Sequence, residues 1–226
     1  MKKNMKIFIY FILFIFLTVG SISIAKNEEI EIGEAVKIKA NFYNASNSKG
    51  KGIILLHMLG RNKGDWKKFA LYMKGRGYSC IAIDFRNKGN ANEQMLLQDT
   101  DTALKYLKQN KCDKIFIVGA SIGANIALNF ADVNNDIKGI VMLSPGLNYR
   151  NVKTENTMKS YSGRPVLIAV SYEDQYSCQS AGILDKYAKG NHKLIVYKGA
   201  GHGTNMLLNN NKLKDDIYNF IKEIIK

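Results

Sequence analysis

Six short runs of apolar residues constrain the fold of this chain more than any other feature. They lie at residues 52–56, 80–83, 115–118, 140–143, 166–170 and 194–197. None of them alternates between polar and apolar residues, which is typical of strands buried on both faces. Segments with helical spacing alternate with these runs, at residues 65–74, 93–108, 122–131, 180–188 and 213–225. Strands and helices repeated in this way predict an α/β fold, with a mostly parallel sheet and helices on both of its faces.

The residues before the first run predict two further strands and complete a single domain. Residues 28–36 and 37–44 alternate in part, which is typical of an antiparallel pair and raises the sheet to about eight strands. The chain has 226 residues, 46% of them hydrophobic, which is enough for one sizeable core. Two prolines and no Gly/Ser-rich stretch argue against a linker, so residues 26–226 are predicted to form one domain.

The first 25 residues have the pattern of a signal peptide. Three lysines at positions 2, 3 and 6 precede an apolar run at residues 7–19, and small residues follow, up to Ala25. This order predicts export and cleavage after Ala25. An uncleaved membrane anchor is the alternative, because the apolar stretch extended to Ile24 approaches the length of a membrane span.

The charge and the cysteines exclude several classes of function. The formal net charge is +14, and removing the three leader lysines leaves +11. The lysines are scattered, so the sequence predicts no nucleic-acid groove and leaves open a weak association with membrane or cell-wall surfaces. Cys80, Cys112 and Cys178 form no Cys-x-x-Cys pair, so they predict structural thiols rather than a zinc site or a disulfide.

The third buried run ends in a motif that predicts a nucleophile. Residues 119–123 read Gly-Ala-Ser-Ile-Gly, and Ser121 lies where a strand must turn sharply into a helix. Small residues around the serine let the strand and the helix approach closely, where a Cβ would clash. The pattern alone is common, but the buried strand before it and the alanine-rich helix after it are the context that a nucleophile elbow requires. Ser121 is therefore predicted to be catalytic.

A histidine and an acid are predicted to activate this serine. A serine hydroxyl needs a general base at neutral pH, and the chain has three histidines. Only His202 follows the last apolar run in a glycine-rich loop that can bend towards Ser121, whereas His192 is interpreted as a surface residue. The base needs an acid that fixes its tautomer. Asp174, just after the run at residues 166–170, is predicted for this role, with Glu173 as the alternative.

Two backbone N–H groups are predicted to stabilise an oxyanion. Ile122 begins the helix after the serine, and Leu59 lies in the loop after the first apolar run, with Met58 as the alternative donor. His57, in the same loop, is predicted to hydrogen-bond backbone groups and to organise the loop. Asp84 is predicted to hold the loop at residues 85–90.

From about residue 28 onwards the chain resembles the α/β-hydrolase superfamily, on the side of the small dienelactone-hydrolase-like and lysophospholipase-like serine esterases. The resemblance rests on residues 55–60, 84–86, 119–123, 143–146, 165–174 and 201–203. The order Ser121, Asp174, His202 is the order of the catalytic triad in this fold. Met58 and Asn87 depart from the superfamily, since glycine is usual at both positions. Dienelactone hydrolases use a cysteine nucleophile, so Ser121 argues against that activity.

The segment at residues 144–164 sets a limit on the architecture. Many α/β hydrolases carry a cap domain there, but this segment has room for one small helix at most, so an open site is predicted. The resemblance implies a carboxylesterase-like enzyme that cleaves small-molecule esters through an acyl-enzyme, without cofactor or metal. An aminopeptidase-like serine peptidase is the alternative, followed by a non-catalytic envelope binding protein. The sequence leaves the oligomeric state open.

Overall fold

Eight of the ten strands form one sheet in the computed structural model, which describes residues 28–225. The predicted signal peptide therefore lies outside the described residues. In chain order the strands are β1 (Glu28–Ile32), β2 (Ile38–Tyr43), β3 (Lys51–Leu56), β4 (Ser79–Ile83), β5 (Lys114–Ala120), β6 (Ile137–Leu143), β7 (Asn148–Tyr149), β8 (Val152–Lys153), β9 (Val166–Ser171) and β10 (His192–Tyr197). The order across the large sheet is β1-β2-β4-β3-β5-β6-β9-β10. Strands β7 and β8 form a separate two-stranded hairpin.

The pairing of the strands confirms the mostly parallel sheet. β1 pairs with β2 and β2 with β4 in antiparallel fashion, and every pair from β4 to β10 is parallel. The expectation that all six apolar runs are buried on both faces is wrong for the last one. β10 is an edge strand, in which Leu194 and Ile195 are half-buried and Val196 is exposed. Parallel strands place their carboxyl ends at one edge of the sheet, and ligands of open α/β sheets bind there.

Helices cover both faces of the sheet. In chain order they are α1 (Lys67–Lys74), α2 (Glu93–Gln109), α3 (Ile122–Val133), α4 (Glu155–Ser160), α5 (Gln175–Tyr187), α6 (Met206–Asn209) and α7 (Asn211–Ile224). One hydrophobic cluster packs α2, α3 and α5 against the sheet, for example through Leu104 and Leu184. The other packs α1 and α7, for example through Phe69 and Ile217. Alternate residues of the central strands enter the two clusters, so both faces are apolar.

Helix α5 begins earlier than its hydrophobic spacing indicates. The sequence predicts a start at residue 180, but the helix starts at Gln175, directly after Asp174. Its first turns carry buried serines instead of aliphatic residues. Ser177 bonds the Tyr149 hydroxyl, and the Ser180 hydroxyl accepts a hydrogen bond from the Leu147 N–H, so these turns make polar contacts that periodicity does not detect.

The segment between β6 and β9 is short, as predicted. It contains the β7–β8 hairpin and the one-and-a-half-turn helix α4, and the described residues include no cap domain. Within residues 28–225, no helix is long and apolar enough to span a membrane. Cys80 and Cys112 are buried and Cys178 is half-buried, and all three are free thiols.

Candidate active site

Ser121 occupies a strained turn between β5 and α3. Its φ of 54° and ψ of −119° lie in a region that side chains other than glycine rarely adopt. The two glycines of the motif make this turn sterically possible. A Cβ on Gly119 would lie 2.1 Å from the Gly123 carbonyl oxygen, and one on Gly123 would lie 2.5 Å from the Leu56 carbonyl oxygen. The strained serine and the close backbone approach are the features that a nucleophile elbow needs.

His202 and Asp174 form a hydrogen-bonded pair next to this turn. The His202 Nδ1 lies 2.6 Å from an Asp174 carboxylate oxygen. Because a carboxylate accepts the proton of Nδ1, the neutral ring has its Nε2 free to accept another. Ser121 and His202 line the same pocket. Among the described residues no hydrogen bond joins these two side chains. Such bonds are often long in free enzymes and shorten when substrate binds.

Glu173, the alternative acid, has a different set of partners. Its carboxylate accepts hydrogen bonds from the Ser171 hydroxyl at 2.7 Å and from the Gly199 N–H at 2.8 Å. The Ser171 hydroxyl and then the Gly199 N–H lower the pKa of Glu173. Ser171 in turn accepts from the Ala200 N–H at 3.0 Å. Glu173 therefore fixes the loop that leads to His202, and within residues 28–225 it makes no hydrogen bond to the imidazole.

Two backbone N–H groups at the pocket have no protein acceptor among residues 28–225. The N–H groups of Ile122 and Leu59 have no such acceptor, and both residues line the pocket. The neighbouring Gly60 N–H, by contrast, donates to the Lys88 carbonyl at 2.8 Å. The Met58 N–H also lacks an acceptor among residues 28–225, so Met58 stays the alternative donor to an oxyanion. Unpaired N–H groups that converge beside a nucleophile are suited to a developing negative charge.

His57 organises the loop that carries Leu59. Its Nδ1 lies 2.7 Å from the Met58 carbonyl oxygen, and the Phe85 N–H donates to its Nε2 at 3.0 Å. The side chain is completely buried, and this burial lowers the pKa of His57. Both ring nitrogens of the neutral imidazole are thus occupied by backbone groups, as the sequence predicts.

Asp84 does not hold the loop at residues 85–90, and this prediction is wrong. Its carboxylate accepts hydrogen bonds from the Lys63 N–H and the Lys63 Nζ, both at 2.7 Å. The loop is held instead by Asp99, which is 1% exposed and bonds both the backbone N–H and the guanidinium of Arg86. Asp99 projects from α2, so its contact with the loop depends on tertiary packing rather than on local sequence.

Sequence reasoning missed three residues of the pocket wall, Asn148, Tyr149 and Arg150. The pocket has a volume of about 350 Å³ and is lined by Met58, Leu59, Ser121, Ile122, Asn148, Tyr149, Arg150 and His202. The Tyr149 hydroxyl lies 2.9 Å from the Ser177 Oγ, and its ring packs edge-on against His202. Burial raises the pKa of Tyr149 to about 12, so its phenol stays protonated at neutral pH.

Helix α3 fixes the hairpin that carries these three residues. Asn125 is completely buried, accepts from the Gly146 N–H at 3.1 Å and donates to the Val152 carbonyl at 2.9 Å. One turn further along, Asn129 donates to the Lys153 carbonyl at 2.9 Å. The helix that begins at Ser121 therefore also determines the position of the hairpin above it.

A larger hollow lies elsewhere and contains none of this chemistry. Its volume is about 1040 Å³, and it lies between the β1–β2 turn and α2, with Gly33, Leu97 and Phe130 among its lining residues. It contains no residue of the Ser121 site. Among residues 28–225, no group of three or more His, Cys, Asp or Glu side chains is arranged to hold a metal ion.

The fold and this site define the class of the protein as an α/β hydrolase. Residues 48–162 match the family model described as serine aminopeptidase, S33. Because the match spans slightly more than half of the 226 residues, the chain belongs to this family of α/β hydrolases.

Solved structures of esterases share the fold over almost their whole length. An esterase from Pyrococcus furiosus is 17% identical, with a TM-score of 0.75 over 89% of this chain and 92% of that chain. The protein Est1E from Butyrivibrio proteoclasticus, with ferulic acid bound, is also 17% identical, with a TM-score of 0.75 over 87% of this chain and 99% of that chain. A thermostable carboxyl esterase from Bacillus coagulans is 14% identical, with a TM-score of 0.73 over 88% and 99%.

Proposed function

We propose that the protein is a serine esterase that hydrolyses carboxylic esters of small molecules through an acyl-enzyme. One observation carries the proposal: the 2.6 Å hydrogen bond between His202 and Asp174 lies beside a pocket that also contains Ser121. A nucleophile, a base and an orienting acid on one sheet edge are the set that acyl transfer requires.

The reaction proceeds in two steps of the same kind. The Ser121 Oγ attacks the ester carbonyl carbon while the His202 Nε2 takes the hydroxyl proton, and the carbonyl oxygen becomes an oxyanion. When the tetrahedral intermediate collapses, His202 gives this proton to the departing alcohol and an acyl-serine remains. Water then attacks the acyl-serine while the His202 Nε2 takes a proton from that water. His202 gives this proton to the Ser121 Oγ as the carboxylic acid leaves. Asp174 keeps the imidazole in the Nδ1–H tautomer and stabilises the imidazolium.

The oxyanion is stabilised by the N–H groups of Leu59 and Ile122. Neither group has to break a protein hydrogen bond to bind it, since neither has an acceptor among residues 28–225. Ile122 is also the first residue of α3, where the helix dipole favours negative charge. Removing one such donor from an enzyme typically costs about 10²- to 10³-fold in kcat.

A serine peptidase is the second candidate, because the family model is described as an aminopeptidase and the same chemistry cleaves amides. An aminopeptidase has to bind the ammonium group of its substrate, for which a carboxylate is the usual partner. No Asp or Glu is among the described residues that line the pocket, whereas Arg150 is. A positive charge beside the site repels an ammonium group, which favours the esterase.

The test is hydrolysis of p-nitrophenyl esters of graded acyl length by residues 26–226, beside aminoacyl p-nitroanilides. We expect turnover of the esters only, and labelling of Ser121 by a fluorophosphonate. The Ser121→Ala variant should lose both, whereas Ser162→Ala, which removes an exposed serine of the inserted segment, should lose neither. Faster cleavage of the anilides would make the protein a peptidase. Ester turnover that survives Ser121→Ala would refute the site.

We also propose that the protein is exported. The supporting pattern is the lysine-rich start, the apolar run at residues 7–19 and the small residues before position 26. Mass spectrometry of the natively expressed protein should find Lys26 at the N-terminus of the extracytoplasmic form. A full-length chain that remains in the membrane fraction would identify residues 1–25 as an anchor. The net charge of +11 supports weak binding to anionic surfaces, which co-sedimentation with anionic vesicles at low salt would detect.

A further inference from the structure

Among the described residues that line the pocket at Ser121, one carries a permanent positive charge and none is acidic. Of its eight described lining residues, Arg150 alone is charged at all pH values at which the fold is expected to be stable. Met58, Leu59 and Ile122 make the rest of the wall largely apolar. A ligand that fits such a surface has a hydrocarbon part and an anionic group.

Arg150 has no acidic partner within residues 28–225, while the acids around the site are engaged. Asp174 bonds His202, and Glu173 bonds Ser171 and the backbone of residue 199. Asp65, which accepts from the Thr204 hydroxyl, forms an ion pair with Arg61 at 2.8 Å. The Arg150 guanidinium can therefore bind a ligand without first breaking an internal ion pair.

The backbone that carries Arg150 is held in a fixed position. Arg150 and Asn151 form the two-residue turn of the hairpin, with φ of 52° and 68°. Asn125 and Asn129 fix β8 from below, and the Thr154 hydroxyl donates to the Gly146 carbonyl at 2.7 Å. Because the ends of the hairpin are anchored, only the Arg150 side chain has to become ordered when a ligand binds, which limits the entropy cost.

A second cation, Lys88, lies in the loop that bonds the segment next to Leu59. The Lys88 carbonyl accepts a hydrogen bond from the Gly60 N–H, and a Cβ on the following Gly89 would lie 3.7 Å from Leu59 and from Ile122. Lys88 is exposed and has no acidic partner in the described part of the chain. Lys88 is not a lining residue of the pocket, so it adds only to the positive potential of the surrounding surface, and Arg150 is the cation of the site itself.

We propose that the preferred substrates of this site are esters that carry an anionic group, a carboxylate or a phosphate, which Arg150 binds while the ester carbonyl lies at Ser121. The inference rests on the proposed esterase function and names its substrate class. The planar guanidinium matches such a group with two parallel N–H donors, and the apolar wall covers the carbon chain between the anion and the ester.

The test compares mono-p-nitrophenyl glutarate with p-nitrophenyl pentanoate, two esters of equal acyl length in which a terminal carboxylate replaces a methyl group. We expect the wild-type protein to favour the anionic ester in kcat/KM, and Arg150→Gln to lower this preference about fivefold, the effect of an exposed charge pair worth about 1 kcal/mol. Lys153→Gln is the matched control, since it removes the same charge from the same hairpin outside the pocket, and it should leave the preference in place. The wild-type preference should shrink as salt is added.

A second pair of esters, 4-carboxyphenyl acetate and phenyl acetate, carries the anion on the alcohol side. A loss of preference in Arg150→Gln for either pair supports the proposal and identifies the side that faces Arg150. If Arg150→Gln changes anionic and neutral esters by the same factor in both pairs, or if Lys153→Gln has an equal effect, the proposal is refuted. Turnover of the neutral esters reports separately on the esterase function, so the two failures are distinguishable.

Discussion

Replacing Asn125 with alanine should loosen the pocket wall and destabilise the whole domain. Asn125 is completely buried and is the link between helix α3 and both sides of the inserted hairpin. The substitution leaves the Gly146 N–H and the Val152 carbonyl without their partner. Each buried polar group left unpaired costs about 1–3 kcal/mol, so two such groups lower the free energy of unfolding by about 2–6 kcal/mol. That is a large part of the typical total of about 5–15 kcal/mol.

The assay is urea unfolding followed by the fluorescence of Trp66, which is the single tryptophan of the chain and is completely buried. With a urea dependence of about 2.5 kcal/mol per M, the expected loss of about 2–6 kcal/mol lowers the midpoint by about 0.8–2.4 M. Asn156→Ala is the matched control, because Asn156 is an exposed residue of α4 whose side chain makes no hydrogen bond within residues 28–225. Its free energy of unfolding should stay within about 0.5 kcal/mol of the wild-type value.

The same variant should also weaken substrate binding. Tyr149 and Arg150 belong to the hairpin that Asn125 holds, so KM for esters should rise by more than kcat falls. If the free energy of unfolding of Asn125→Ala lies within about 0.5 kcal/mol of the wild-type value, Asn125 does not hold the hairpin in place. An unchanged KM in a destabilised variant would show that the hairpin keeps its place through its other contacts.

Three further perturbations test the site and its frame. Asp174→Asn should lower kcat for esters about 10³- to 10⁴-fold while Glu173→Gln keeps most of it, and the reverse ranking in steady-state kinetics would make Glu173 the orienting acid. Gly119→Ala should lower the melting temperature by more than about 5 °C or abolish folding, because its Cβ would lie 2.1 Å from the Gly123 carbonyl oxygen. A decrease of less than about 2 °C in calorimetry would contradict this. Burial lowers the pKa of His57 from its usual 6.5, so below pH 6.5 the unfolded chain binds a proton that the folded protein still excludes. The free energy of unfolding should therefore fall as the pH drops below 6.5, and His57→Gln should have a shallower decline; equal slopes in urea titrations would refute this account.

The sheet and the elbow could be predicted because their signals are local. A continuous apolar run identifies a buried strand wherever it pairs, and residues 119–123 contain their own reason for a sharp turn in the two glycines. The run at residues 194–197 shows the limit. Its composition resembles that of the central strands, but its exposure follows from its place at the edge of the sheet, which depends on the topology of the whole chain.

The wall of the pocket could not be predicted, because it depends on contacts between distant segments. A two-residue strand such as β7 is too short to have a periodicity, so Tyr149 and Arg150 have no signal of their own. Asn125 reads as an ordinary polar residue in an apolar helix until Gly146 and Val152 are seen to bond it. Asp84 and Asp99 show the same limit, since each carboxylate bonds a segment that only tertiary structure brings near.

Helix α3 holds the hairpin through backbone groups at the base of the hairpin. The side chains at the tip of the hairpin can therefore be substituted without loss of these bonds. The anchors are the N–H of Gly146 and the carbonyls of Val152 and Lys153, and none of them depends on the side chains at residues 149–151. Variation at those three positions is therefore separable from the elbow, which belongs to the helix. A combinatorial library confined to residues 149–151 should change substrate preference while the fold and the nucleophile are retained. Natural variants of this protein can diverge in substrate preference through the same three positions.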